Sequence, residues 1–233
     1  MGLDFESRAS DSPFVERVWL SRSSEVDTMM SVAASCWDLV VCERRGQVSV
    51  VVHGPESRAR MAPVPEEATF FGITFSLGTT MPHLPAGRLL DDEVELPNAT
   101  RRSFWLKGSA WHLPGYDNAE EFVRRLVRED VLVRDPVVDA VLRGEPPKLS
   151  ARTVQRRFLA ATGLTQGTAR QIDRARQAAV LLREGTPSLE VVHRLGYFDQ
   201  PHLARSLARF VGRTATRLGA GDTAEPLSLL YET

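Results

Sequence analysis

Gln200, His202, Arg205 and Arg209 are the residues of this 233-residue chain whose types and spacing best suit a chemical task. They lie in the run Gly196-Tyr197-Phe198-Asp199-Gln200-Pro201-His202-Leu203-Ala204-Arg205-Ser206-Leu207-Ala208-Arg209-Phe210. Leu203, Leu207 and Phe210 recur there at helical spacing, which leaves the polar residues largely on other faces. Arg can bridge guanine O6 and N7, and Gln can bridge adenine N6 and N7, so one face packs while another meets base edges. Upstream, Ser188 is the expected N-cap of a preceding helix with Leu189, Val192 and Leu195 as its buried stripe. Gly196 supplies the left-handed residue that ends it. The reading is helix, tight turn, helix; the alternative is an ordinary helical hairpin.

A second polar set stands about fifty residues earlier. Ser150 to Gly163 reads as a capped basic helix, with Val154 and Phe158 inward and Arg152, Gln155 and Arg156 pointing away. Between the two sets, Ile172, Ala175, Ala179 and Leu182 mark a long amphipathic helix from Gln166 to Glu184, stopped by Gly185 and Pro187. Its nineteen residues at ~1.5 Å rise make a strut of roughly 28 Å. Such a strut suits two helices directed at successive major-groove openings about 34 Å apart.

The segment from about Asp135 to Arg217 resembles the AraC/XylS family of bacterial transcription regulators, whose DNA-binding region has two helix-turn-helix units joined by a long helix. The resemblance is carried by Gln155-Arg156-Arg157-Phe158, Gly163-Leu164-Thr165, Arg174 to Leu182, and Gly196-Tyr197 through Phe210 and Gly212. It implies base-facing roles for Arg152, Gln155 and Arg156 in the first unit, and for Gln200, Pro201, His202 and Arg205 in the second. Arg209 joins them from its place on the basic face. It further implies double-stranded DNA as a partner, and RNA polymerase if the protein activates. Two departures stand out. Val137 to Leu142 runs straight into Gly144-Glu145-Pro146-Pro147-Lys148, so the supporting helix of the first unit is expected to be short and that unit to act mainly as a phosphate clamp. Ala215 stands where the family commonly has proline.

Charge gives an independent check. The whole chain has a formal net charge of -1, yet Lys148 to Arg217 carries Lys148 and twelve arginines against Asp173, Glu184, Glu190 and Asp199. A basic module beside an acidic remainder is the footprint expected of phosphate binding. Arg suits this role because its planar fork binds phosphate or guanine in bidentate fashion.

The N-terminal half reads differently. Leu39 to Cys42, Val48 to Val52 and Thr69 to Leu77 are β-rich runs separated by Gly and Pro, and Phe71, Ile73, Phe75 and Leu77 alternate with Phe70, Gly72, Thr74 and Ser76. An antiparallel barrel or sandwich is expected. Trp37-Asp38-Leu39, His53-Gly54-Pro55 and Phe71 to Phe75 look like the cupin-like sensory domains that precede the DNA-binding region in regulators of this kind. Trp37, His53, His83, Trp105, Trp111 and His112 are candidates for an effector pocket with aromatic walls and imidazole anchors. His53, His83 and His112 are scattered, with no His-x-His pair. No metal, catalytic residue or cofactor is therefore expected, nor a phosphate loop or nucleophile elbow. Cys36 and Cys42 share strand parity about 20 Å apart at ~3.3 Å per residue, so they read as reduced thiols. No apolar run of about eighteen residues and no leader pattern is present, which points to a cytoplasmic protein.

Asn118 is the expected cap of a connecting helix, with Glu121 reaching back to it and Phe122, Val123, Leu126 and Val127 as its stripe. Glu120 with Arg124 and Glu121 with Arg125 are the expected ion pairs. The stripe packs on the β domain or on its counterpart in a homodimer. The expected organisation is α+β: a β-rich sensory or dimerisation domain over 1–117, the connecting helix over 118–133, a helix-turn-helix domain over 134–218 and a mobile tail over 219–233. The expected function is a sequence-specific transcription regulator controlled by a small-molecule effector or partner. The alternative is a regulator whose N-terminal domain only dimerises or docks a protein. An enzyme with an accessory DNA-binding domain ranks behind both.

Overall fold

The structure is a computed structural model, and it describes residues 3–24, 28–145, 148–221 and 227–228. In chain order the strands are β1 (Leu3–Ala9), β2 (Val15–Ser23), β3 (Thr28–Ser31), β4 (Asp38–Arg44), β5 (Gln47–His53), β6 (Arg60–Pro63), β7 (Ala68–Phe75), β8 (Thr79–Thr80), β9 (Glu93–Glu95), β10 (Ser103–Leu106), β11 (Ser109–His112) and β12 (Val133–Arg134). The helices are α1 (Ala119–Arg128), α2 (Pro136–Leu142), α3 (Ala151–Thr162), α4 (Gln166–Arg183), α5 (Ser188–Leu195), α6 (Gln200–Phe210) and α7 (Ala215–Gly219). An antiparallel sheet region followed by a helical region makes the chain α+β.

Two compact units divide it. The first comprises Met1–Val26, Cys36–Pro55 and Pro65–Gln166; the second comprises Asp27–Ser35, Glu56–Val64 and Gly167–Thr233. The division falls within the helical region, between α3 and most of α4.

In the first unit, β1, β2, β7, β4, β5 and β9 form one antiparallel sheet in that order. Its edge strands β1 and β9 do not pair, so the sheet is open and the sandwich, rather than a closed barrel, is the form adopted. Register aligns Val18, Ile73, Leu39 and Val52 in one row and Leu20, Phe71, Val41 and Val50 in the next. Both rows face the core. The β10–β11 hairpin and α1 cover them, contributing Phe104, Leu106, Trp111, Phe122, Val123 and Leu126. On the opposite face, Gly72 stands across from Trp19. A Cβ at Gly72 would lie 2.1 Å from the indole, so only glycine lets the ring lie flat on the strand.

The apolar stripe of α1 is thus buried within its own chain, which favours the first of its two expected roles over dimerisation. Its polar contacts differ from expectation. Asn118 precedes the helix without capping it, because its Oδ1 accepts from the Gly115 N–H instead. Glu120 pairs with Arg8 at 2.6 Å, Glu121 with Arg124 and Arg125 with Glu129, so none of the predicted i, i+4 partners is the one chosen. Cys36 precedes β4 rather than sharing its parity with Cys42, and neither cysteine is in a disulfide.

In the second unit, α4 to α7 pack with the β3–β6 ribbon. Gly185, at φ +88°, closes α4 in the left-handed region. Thr214 caps α7 and Ala215 takes its first helical position. Proline is pre-organised there but not required, so Ala215 starts the helix without it. Of the predicted tail, Leu227 is buried and bridges Met30; residues 222–226 and 229–233 lie outside the described residues. No described helix is long and apolar enough to cross a membrane.

Candidate nucleic-acid interface

The turn between α5 and α6 is fastened at both ends. Gly196 adopts φ +68°, which lets the Tyr197 N–H reach Val192 O at 2.9 Å and closes α5. Four residues later α6 is already under way, because Asp199 Oδ1 accepts from the His202 N–H at 2.6 Å. This N-cap satisfies a backbone donor that helix geometry otherwise leaves open. Sequence reasoning passed over it, although an Asp three residues before a donor is a local signal. Pro201 in the first turn lacks an N–H where none is needed.

Packing decides which face looks out. Leu203, Leu207 and Phe210 are buried, with Ser206 among them and hydrogen-bonded to the buried Tyr197 hydroxyl at 3.2 Å. Gln200, Pro201, Arg205 and Arg209 are exposed and His202 is half-buried. The imidazole of His202 lies edge-on to Tyr197, with Nδ1 accepting from the Phe198 N–H at 3.3 Å. Its Nε2 is therefore the nitrogen left to carry the proton and donate.

Arg174 of α4 braces this turn. Its guanidinium lies 4.4 Å from the Tyr197 ring centre and donates to Gly196 O at 3.3 Å. This residue was legible only as part of a basic helix, because its partners lie more than twenty residues away. In α5 the expected details shift by one residue. Pro187, not Ser188, occupies the cap position, and the buried pair is Val191 and Val192, while Leu189 is 58% exposed and Leu195 half-buried.

The other end of α6 is held by the β3–β6 ribbon of the same unit. Ala33 N–H donates to Phe210 O at 2.8 Å and Ala59 N–H to Arg209 O at 2.9 Å. These bonds satisfy carbonyls that a helix C-terminus leaves without partners. Arg176 donates to Ala33 O at 3.0 Å. Gly212, at φ +70°, passes so close to Met30 that a Cβ would meet its Sδ at 2.5 Å. Neither strand was predicted, since Thr28–Ser31 and Arg60–Pro63 show no alternation of apolar and polar residues.

In the first unit, α3 begins at Ser150, whose Oγ accepts from the Thr153 N–H, and ends at Gly163, φ +73°. Phe158, Ala161 and Leu164 are buried; Arg152, Gln155 and Arg156 are exposed. Gly163 is indispensable to the close approach of Ala86, whose carbonyl carbon and oxygen lie within about 3.1 Å of where a Cβ would stand. The supporting helix α2 has seven residues, capped by Asp135, which also takes a hydrogen bond from Arg157 at 2.9 Å.

The six candidates for an effector pocket do not converge. Trp37 lines a pocket with Val52, Gly54, Met81, Leu84 and Leu89, and its indole N–H is spent on Thr79 O at 2.8 Å. The pocket holds about 230 Å³ with its solvent-open part included, short of the ~300 Å³ at which drug-sized sites begin. Trp111 is core, its N–H given to Leu106 O. His53 faces the other side of the sheet because strand side chains alternate, and it pairs with Glu93 at 2.9 Å. His83, Trp105 and His112 are exposed. Among the described residues no group of three His, Cys, Asp or Glu side chains is placed to hold a metal.

A four-residue turn fixed at both ends, followed by a helix with one buried apolar row and one exposed Gln/Arg row, defines a helix-turn-helix DNA-binding unit. Residues 148–220 match the family model described as a helix-turn-helix domain. The segment is an AraC-type helix-turn-helix domain, a DNA-binding module that makes up the helical part of the chain from residue 148 on. No curated protein matches the chain. Among solved structures it is similar to ToxT from Vibrio cholerae O395, crystallised bound to (E)-4-(8-methylnaphthalen-1-yl)but-3-enoic acid, at 8% identity over 94% of this chain and 98% of that one, TM-score 0.36. So distant a likeness transfers neither ligand nor residue.

Proposed function

We propose that the protein is a sequence-specific regulator that reads DNA with α6, through Gln200, Pro201, His202 and Arg205, with Arg209 completing the basic face. The observation that carries this reading is the orientation of α6: its apolar row is fully used in packing, and its Gln/Arg row is left to solvent. α3 contributes Arg152, Gln155 and Arg156. Its two-turn supporting helix favours a role in gripping phosphates over reading bases.

Control from the N-terminal half acts through the β3–β6 ribbon. Both strands come from that half of the sequence, and the backbone on either side of them is bonded to the carbonyls that end α6. A ligand or partner that binds two arrangements of the N-terminal region unequally would thereby bias the reading helix. This support for control does not depend on a preformed pocket, and it holds equally for a small effector and for a protein partner.

Capture of genomic fragments by the full-length protein at physiological salt, with excess competitor DNA, tests the reading. Enriched sites sharing a short element are expected. Uniform recovery of all fragments, with and without cell extract added as a source of effector, would refute sequence-specific regulation.

A further inference from the structure

Phe198 is 91% exposed, far beyond the next most exposed large apolar side chain among the described residues, Leu189 at 58%. Its position makes that exposure informative. It immediately precedes the N-cap Asp199, where an apolar residue ordinarily folds back onto the fourth helical residue as a hydrophobic staple. That fourth residue is Leu203, which is buried to 1% exposure without it. The adjacent Tyr197 already fills the inward place, with its hydroxyl on Ser206 and its ring against Arg174 and His202. The Phe198 backbone is held by its N–H to His202 Nδ1 and by the cap beside it. The phenyl ring is thus an apolar projection on a held backbone at the leading end of α6.

We propose that Phe198 is a specificity residue that packs its ring on the C5-methyl of a thymine in the major groove, beside the base met by Gln200. This rests on α6 being the reading helix. Residues at the start of such a helix enter the groove first, and the thymine methyl is the one apolar group the major groove displays. The charge of the helix selects the same partner: Arg205 and Arg209 lie on the exposed face of the helix that Phe198 leads, and Arg194 is exposed on α5. An apolar projection at the start of a helix whose exposed face is basic suits a polyanion that carries methyl groups better than it suits an apolar protein surface.

The test uses full-length protein and a duplex selected by it from a random-sequence pool, with each thymine replaced in turn by deoxyuridine. At one position next to the Gln200 contact, loss of the methyl should weaken wild-type binding about fourfold, the value of one buried methyl-sized group. Phe198→Ala should bind the thymine duplex on the order of tenfold more weakly and no longer distinguish thymine from uracil there. Phe198→Leu should restore most of both. A wild type sensitive to sequence whose affinity and thymine-to-uracil ratios are unchanged in Phe198→Ala would overturn the contact alone. A wild type that selects no sequence from the pool would overturn the reading helix and this contact together.

Discussion

Arg205 is exposed on the outward row of α6 two residues beyond the buried Leu203, and it has the length to reach a base edge from the groove wall. Replacing it with Ala should cost about 1 to 3 kcal/mol on a selected site and relax preference at one base position. Competition binding across single-base variants of that site checks this; an equal loss on every sequence would make Arg205 a phosphate contact. The Arg8–Glu120 pair gives a residue-scale prediction about stability. Two guanidinium nitrogens meet the two carboxylate oxygens at 2.6 and 2.9 Å, and the Arg8 hydrogen bond holds the Glu120 carboxyl down to about 2 from its usual 4.5. A lowered folded-state pKa stabilises above the unfolded value and loses its effect as pH falls toward the folded one. Wild type should therefore exceed Glu120→Gln by about 1 kcal/mol at neutral pH, and the gap should close between pH 4.5 and 2. Urea titrations across that range decide it, since a gap that does not change with pH would assign the effect to packing.

At the scale of elements, boundaries follow local chemistry where the chemistry is unambiguous. Ser150 and Gly163 bracket α3 as expected, and Gly196 closes α5. The strand runs at Leu39, Val48 and Thr69 became β4, β5 and β7. Where several local partners compete, the sequence does not select among them. Asn118 serves Gly115 rather than its helix, and Glu120 turns to Arg8, more than a hundred residues away. Gly72 shows why an alternating strand carries a glycine on its second face: the Trp19 ring occupies the space of a side chain, itself stacked on Phe5 at 5.8 Å. Gly72→Ala should displace that ring and lower stability by about 1 to 3 kcal/mol. Equilibrium unfolding with Trp fluorescence as the probe would register both effects, and an unchanged midpoint would mean that Trp19 swings clear without loss.

At the scale of the whole molecule, the ribbon makes the second unit depend on residues from the other half of the sequence. An excised 148–220 segment lacks Ala33 and Ala59, and with them the donors to Phe210 and Arg209. Amides in the last turn of α6 and in the segment around Gly212 should exchange hydrogen faster in that fragment than in the full chain. Equal protection would mean that the ribbon adds nothing. Composition, helical period and turn residues determined by themselves that a basic helix-turn-helix module follows an antiparallel β region, and which residues α6 turns outward. Those properties are set within a few residues of chain, by the 3.6 and 2.0 periods and by the left-handed glycines. Only the tertiary structure decided that the sheet stays open, that the predicted pocket histidines and tryptophans do not converge, that Tyr197 turns inward while Phe198 stays out, and that a ribbon from the N-terminal half of the sequence caps α6. Each of those depends on contacts between residues distant in sequence, where burial and competition among partners outweigh any local preference.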